Sequence, residues 1–297
     1  MKLTSLHLLL TYVCNFECEH CFVWGSPGQS GTLSLGGIRD ILRQGLELGT
    51  VESIYFEGGE PFLFFPVLAR GVQEAAAAGF RTGALTNGYW ATDVPDAMEW
   101  LRGFAGALHD LWVSSDLYHA KEELCPEVRH AMDAAQEMGI RCFTLSVAQP
   151  AEMAVSARGQ LPAGQSAVMY RGRAARMLAL EAPQHPWHEF VTCPHEDLRE
   201  PGRVHVDPFG NLHLCQGLCI GNLFRTPLRD ICASYDPETH PIVGPLLRGG
   251  PAALLQQVGL PHRDTYADAC HACYDARLAL RTRFPELLGP DQMYGVV

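Results

Sequence analysis

Hydrophobic and polar positions in the first half of the chain follow two alternating patterns. Leu6–Val13, Ser53–Phe56, Arg81–Leu85, Leu111–Ser114 and Cys142–Val147 are short apolar runs of strand length. The stretches between them have helical spacing. Ser34 can cap a helix that carries Leu35, Ile38, Leu42 and Leu46 on one face and ends near Gly49. Pro66, Pro95 and Pro126 stand where a first helical residue is expected, and Gly79 and Gly139 follow two of those helices. Repeated strand–helix units predict parallel strands with helices packed outside. Periodicity alone leaves an open doubly wound sheet and a barrel both available. The motifs that close the strands favour the barrel: Cys14 after the first, Gly58-Gly59-Glu60 after the second, Thr86-Asn87-Gly88 after the third and Ser115-Asp116 after the fourth.

A sixth strand is expected near Ala167–Tyr170, ahead of Arg171-Gly172-Arg173. The character of the chain changes between Glu181 and Val191, which predicts a boundary dividing residues 1–185 from 186–297. Beyond it, Arg203–Cys215 reads as two alternating strands around Asp207-Pro208-Phe209-Gly210, and a helical tail follows Cys270-His271-Ala272-Cys273. The final stretch, Gln292–Val297, is expected either to fold back over the barrel or simply to dock the chain end. No internal repeat occurs, and Ala75–Ala78 is the sole low-complexity tract.

Composition narrows the class. A net charge of −11 over 297 residues excludes a general nucleic-acid backbone binder, which needs a basic surface. No stretch has the apolar length of a membrane span. The leucines between Leu3 and Leu10 are interrupted by His7 and followed by no small-residue cleavage pattern, so they read as a buried strand rather than a signal peptide. Eleven cysteines without an export signal suit metal ligation in a reducing cytoplasm better than disulfides.

Cys14, Cys18 and Cys21 lie in one short loop after the first strand. Three thiolates at this spacing can bind three irons of a cubane and leave the fourth free, whereas electron-carrying clusters use four cysteines. A zinc ion held by the triplet and a histidine such as His20 competes with that reading. Glu57-Gly58-Gly59-Glu60-Pro61, at the end of the next strand, shifts the balance. Its glycines allow close backbone approach, and a carbonyl or carboxylate there can receive an ammonium group.

With these motifs in these places, residues 6–175 resemble the radical S-adenosylmethionine (SAM) superfamily. The resemblance implies a partial (β/α)6 barrel, a 4Fe–4S cluster on Cys14, Cys18 and Cys21, and SAM chelating the open iron through its amine and carboxylate. It implies reductive cleavage of SAM to a 5′-deoxyadenosyl radical that takes hydrogen from a substrate, with an electron donor such as flavodoxin or ferredoxin. Gly58, Gly59 and Glu60 would meet the SAM amine. His20 stands where the family usually has an aromatic residue against adenine. By position, Ser115 and Asp116 are candidates for the ribose hydroxyls and Asn87 for the methionyl end, although all three residue types also cap turns. Arg171 and Arg173 are candidates for the SAM carboxylate or an acidic substrate, or form a solvated pair. Tyr118 and His119 follow Asp116 and are candidate proton donors or substrate contacts.

The last third holds a second set: Cys193, Cys215, Cys219, Cys270 and Cys273. A single cysteine, then Gly210 with four residues between it and Cys215, then a distant Cys-x2-Cys resembles the SPASM and twitch extensions. With no cysteine beyond Cys273, the shorter twitch type is the nearer match. That resemblance implies one auxiliary 4Fe–4S cluster on Cys193, Cys215, Cys270 and Cys273, in a small hairpin-and-helix domain. Cys219 is either a fifth competitor for a ligand place or a packed thiol, and a structural zinc is the alternative occupant. Cys125, Cys142 and Cys232 stand alone as packed or exposed thiols, and His271 is expected to support ligands rather than bind metal.

The function expected is hydrogen abstraction from a peptide or natural product. Oxidation of a sugar or cyclitol is the first alternative, and a non-enzymatic zinc or iron–sulfur redox-sensing module the second. No peptide-recognition segment stands ahead of the first strand, so a leader-bearing peptide would call for a separate delivering protein.

Overall fold

A computed structural model of the protein describes residues 1–119, 125–147, 165–166, 168–259 and 261–296. Six strands, β1 (Ser5–Thr11), β2 (Ser53–Gly58), β3 (Arg81–Thr86), β4 (Asp110–Ser114), β5 (Arg141–Val147) and β6 (Gln165–Ser166), pair in sequence order and all in parallel. Helices α1 (Leu35–Leu48), α2 (Phe65–Ala77), α3 (Val94–Arg102) and α4 (Pro126–Glu137) cross over between them. This is the partial barrel expected. Leu6, Leu8 and Leu10 are fully buried, so the first apolar run is a core strand.

The helix signals act locally as read. The Ser34 side chain accepts from the Gly37 N–H, and Gly49 closes α1 in the left-handed region at φ 73°. One detail of α1 differs: Leu46 is exposed. The buried stripe is Ile38, Ile41, Leu42 and Gly45, because the missing side chain at Gly45 admits Phe80 of the next unit. The sixth strand is also displaced. It lies at Gln165–Ser166; Val168–Tyr170 is irregular, and Ala167 falls outside the described residues.

After a two-residue strand β7 (His185–Pro186), which pairs with Thr265–Tyr266, the hairpin expected after Arg203 forms from β8 (Arg203–Val206) and β9 (Asn211–Cys215), and a further antiparallel strand, β10 (Leu218–Asn222), extends it. It is not a detached unit. β8 pairs in parallel with β1, Ser5 opposite Arg203 through Leu8 opposite Val206, so one nine-stranded sheet runs β10-β9-β8-β1-β2-β3-β4-β5-β6. Asp207 turns the hairpin by accepting from the Phe209 and Asn211 N–H groups at 2.9 Å each. Short helices α5 (Arg173–Met177) and α6 (Leu228–Ser234), a helix α7 (Val243–Val258) broken at Gly249–Gly250, and α8 (Ala269–Leu280) complete the chain. Met293 and Tyr294 are buried, and the Tyr294 hydroxyl donates to the Gly217 carbonyl at 2.8 Å, so the tail docks on the hairpin; Val297 lies outside the described residues.

Gly58 and Gly59 bring the end of β2 hard against the end of β1. A Cβ at Gly59 would lie 2.2 Å from the Val13 carbonyl oxygen, and Gly58, at φ 138°, would place one 2.4 Å from that of Thr11. Both neighbours are backbone and lead directly into Cys14. Gly59→Ala is therefore expected to displace the Cys14 loop and to destabilise the fold by about 1–3 kcal/mol. Thermal unfolding and iron retention, compared with wild type, check both parts.

Candidate functional site

Cys14, Cys18 and Cys21 open onto the C-terminal mouth of the barrel and line a cavity of about 630 Å³. The loop is anchored at each end. The Cys14 N–H donates to the Ser26 carbonyl at 3.1 Å, and Gly59 and Glu60 donate back to the Thr11 and Val13 carbonyls at 2.6 and 2.9 Å. Arg173 fixes its middle. Its guanidinium donates to the Cys18 carbonyl at 2.7 Å and the Gly25 carbonyl at 2.8 Å and lies over the Trp24 ring, while its N–H reaches the Cys21 carbonyl at 2.9 Å. Arg173 is thus committed to the loop backbone.

Burial, the nearby Glu60 and the Cys21 thiol push the Cys14 thiol up to about 12. Cys18 and Cys21 are also raised, burial again leading, with Arg173 working against it. Thiols so placed give up their protons only to a strongly charged partner. Backbone N–H groups already point at two sulfurs: Phe16 at Cys14 Sγ, 3.3 Å, and Gly25 at Cys21 Sγ, 3.2 Å.

Ligand spacing bears on which partner fits. Sulfurs around a single zinc stand about 3.8 Å apart, given bonds of about 2.3 Å in a tetrahedron. Among the described residues, the groups whose potential ligand atoms all lie within 4.8 Å are His7–Glu57–His205, His20–Asp116–His119 and His195–Asp268–Cys270. None contains two of the cysteines. The three sulfurs of the triplet are thus not drawn together within 4.8 Å as a preformed single-ion site.

Gly58 and Gly59 line the cavity, but the Glu60 carboxylate does not. It is fully buried and accepts from the Asn87 N–H at 2.7 Å, the Thr86 hydroxyl at 2.8 Å and the Phe62 N–H at 3.0 Å, tying β3 to the turn after β2. The glycine backbone, rather than this carboxylate, faces the cavity. Burial raises Glu60 to about 7 in spite of its donors. The native state then holds this proton more tightly than the unfolded chain. The associated stability is fully present below the ordinary value of 4.5 and is lost as pH rises towards 7, by about 3 kcal/mol at most. Wild type is expected to lose thermal stability relative to Glu60→Gln between pH 5 and 7. A pH-independent difference would show that the proton is not held there.

Asn87, Ser115, Asp116 and His119 come together on one side of the mouth, where a side pocket of about 240 Å³ adjoins the main cavity. The Asn87 amide donates to Asn15 Oδ1 at 2.9 Å and points at Cys14 Sγ at 3.9 Å. Asp116 pairs with His119 Nδ1 at 2.8 Å and stands 3.9 Å from His20 Nε2. Burial opposes the charge on Asp116, but hydrogen bonds from His119 and the Tyr118 N–H hold it below the ordinary carboxylate range. Burial, followed by His119, lowers His20 to about 4, so its ring is neutral and stacks on Tyr118 with centroids 4.6 Å apart. A neutral ring is the form that can replace an aromatic residue there.

The second cysteine set converges as well. Burial, with the neighbouring Cys215 adding to it, holds the Cys193, Cys270 and Cys273 thiols above the ordinary thiol range, Cys273 at about 11. Two buried guanidiniums flank these thiols. Arg171 donates to Cys215 Sγ at 3.2 Å and pairs with Glu196 at 3.3 Å, and its Nε is buried without a partner. Arg277 donates to the Gln216 carbonyl at 2.5 Å. Cys219 stands apart: its thiol donates to the Gly289 carbonyl at 3.3 Å and lies 3.4 Å from His213 Nδ1. His213 rises to about 10, with Cys219 and Asp207 outweighing burial. His271 accepts from the Ala267 N–H.

Arg171, Gln216 and the cavity-lining trio His7, Glu57 and His205 place the second set and a polar floor against the same cavity. The trio escaped the sequence reading, although His7 and His205 each interrupt an apolar strand at an inward position, which is a usable signal.

The fold and mouth thus describe a barrel with its chemistry at the C-terminal ends of parallel strands. Residues 8–153 match the family model of the radical SAM superfamily, and the chain carries a radical SAM domain. The GTP 3′,8-cyclase of Synechococcus elongatus is 36% identical over 88 residues, which are 29% of this chain and 27% of that protein. The putative peptide biosynthesis protein YydG of Bacillus subtilis is 26% identical over 108 residues, 36% of this chain and 34% of that protein. The chain therefore matches only about a third or less of the length of these curated relatives. Its fold is also that of BtrN, solved with AdoMet and 2-DOIA, at TM-score 0.52 and 15% identity over 78% of this chain and 82% of that one. Native anSMEcpe with bound AdoMet gives 0.54 and 13% over 96% and 98%. Among the described residues no helix is long and apolar enough to cross a membrane.

Proposed function

We propose that the protein is a radical SAM enzyme that abstracts hydrogen from a peptide or natural-product substrate. The observation that carries this is the thiol triplet at the mouth of the 630 Å³ cavity, which Gly58 and Gly59 line with it. When bound, a 4Fe–4S cluster and SAM supply an electron and reductive cleavage of a sulfur–carbon bond. Cys14, Cys18 and Cys21 hold the cluster. The backbone at Gly58 and Gly59 receives the SAM amine, with Glu60 bracing it from behind. Asn87 orients the methionyl end, Ser115 and Asp116 the ribose, and neutral His20 the adenine. His119, hydrogen-bonded to Asp116, and Tyr118 border the substrate space, where His119 can hold or pass a proton.

In this reading residues 1–185 form the core and 186–297 an auxiliary module that lends its hairpin to the barrel sheet. Cys193, Cys215, Cys270 and Cys273 hold a second 4Fe–4S cluster, with Arg171 set between that cluster and the cavity. Arg173 serves the first loop and not the SAM carboxylate. A flavodoxin- or ferredoxin-type donor in the cytoplasm supplies electrons, and a separate protein delivers the substrate if it is a leader-bearing peptide. Similarity to YydG, named for peptide biosynthesis, supports a peptide substrate over a sugar or cyclitol. Anaerobic reconstitution followed by reduction is the test. Formation of 5′-deoxyadenosine is expected, and tight zinc with no cleavage would overturn the proposal in favour of a non-enzymatic module.

A further inference from the structure

We infer that His7, Glu57 and His205 form a site for one divalent metal ion on the floor of the cavity, distinct from both cysteine sets. The sheet brings the three together. His7 on β1 lies directly opposite His205 on β8, and Glu57 on β2 pairs with Leu9, the next inward position along β1. His7 Nδ1 stands 3.4 Å from Glu57 Oε2, and His205 Nε2 stands 2.9 Å from Glu57 Oε1. One ligand atom from each residue lies within 4.8 Å of the others. Ligand atoms about 2.1 Å from a metal and 90–109° apart stand about 3.0–3.4 Å from one another. Two imidazoles and one carboxylate on a single face are a recurrent protein donor set for a divalent transition metal, with the remaining positions open. Here those positions face the cavity and are available to water or to a carboxylate or hydroxyl oxygen of the substrate.

The His205–Glu57 contact, at 2.9 Å, is close, but the ring N–H is not directed along a hydrogen bond to Glu57 Oε1. His7 Nδ1 and Glu57 Oε1 are buried and have no hydrogen-bond partner, as befits lone pairs that converge on a cation. Nor does a protein cation satisfy the carboxylate: among the described residues no arginine or lysine pairs with Glu57, and Arg203, which also lines the cavity, pairs with Glu196 at 3.3 Å. Tyr55 stacks on His7 with centroids 5.0 Å apart and fixes the ring plane.

The inference stands on this geometry and not on the identity of the cysteine-bound groups, so it is tested without reference to SAM cleavage. Mn²⁺, which has little affinity for thiolates, is titrated anaerobically into the reconstituted holoprotein and followed by electron paramagnetic resonance. Wild type is expected to bind one Mn²⁺ per chain, with pulsed spectra showing two imidazole nitrogens. His205→Ala and Glu57→Gln should each weaken binding by more than about tenfold, and His205→Ala should leave one nitrogen coupling. His119→Ala, in a second histidine–carboxylate group, should change neither number. No bound Mn²⁺ in wild type, fewer than two nitrogens, or a signal that responds to His119→Ala and not to His205→Ala overturns the inference. The wild-type nitrogen count decides even if a variant fails to fold.

Discussion

Alanine at Cys14, Cys18 or Cys21 is expected to bring reductive SAM cleavage down to background and to remove the iron bound at the barrel mouth. Each sulfur has a separate place in the loop and no substitute. Cys14 is fixed between Ser26, Asn87 and the β2 glycines, Cys21 accepts from the Gly25 N–H, and the Cys18 carbonyl is held by Arg173. His20 cannot take over, because its ring is stacked on Tyr118 and buried beside Asp116 and His119. If the triplet is the source of the reactivity, the loss is of the whole enzymatic acceleration, about six orders of magnitude or more. The measurement is 5′-deoxyadenosine formed per reduced chain, alongside iron content. Cys142→Ala supplies the control, since that thiol lies on β5 away from both sets, and its iron and turnover should match wild type. Equal activity in any triplet variant would end the radical SAM reading of this loop.

The parallel half of the fold was legible because each of its signals is local. A strand buried on both faces is an apolar run, as at β1, and a cap such as Ser34 is written beside the helix it starts. What could not be read depends on contacts across the chain. Nothing near Arg203 announces that β8 lies against β1, some two hundred positions earlier, so the hairpin looked like a domain of its own. The same pairing brings His205 to His7, and neither histidine means much without the other. Leu46 was assigned to the buried face because its helical phase nearly fits; a glycine at the adjoining position, where Phe80 enters, decided otherwise. Arg171 and Arg173 looked like one basic pair. Gly172, at φ 60° and pressed against the Cys21 and Phe22 carbonyls, turns the chain between them, so one arginine serves Cys215 and the other Cys18.

Cys215→Ala should remove one of two clusters, lowering iron from about eight to about four per chain, and should also weaken the fold. Cys215 is the thiol that influences Cys193, Cys270 and Cys273 alike, and it accepts from Arg171 at 3.2 Å. Arg171 is 6% exposed and Arg277 2%. With the thiolates and their metal gone, Glu196 remains as a partner for Arg171, but Arg277 keeps only backbone carbonyls. Leaving a buried guanidinium without its counter-charge costs about 3–5 kcal/mol, visible as a lower unfolding temperature. Cys219→Ala separates this from a general effect of thiol removal. Its thiol belongs to the buried set of His213, Asp207 and Tyr12, so iron should stay at the wild-type level in that variant. Were Cys219→Ala to lose iron while Cys215→Ala kept it, the ligand assignment would have to be exchanged between the two. Zinc in place of half the iron would leave Cys215 a ligand but change the second site from an electron carrier to a structural one.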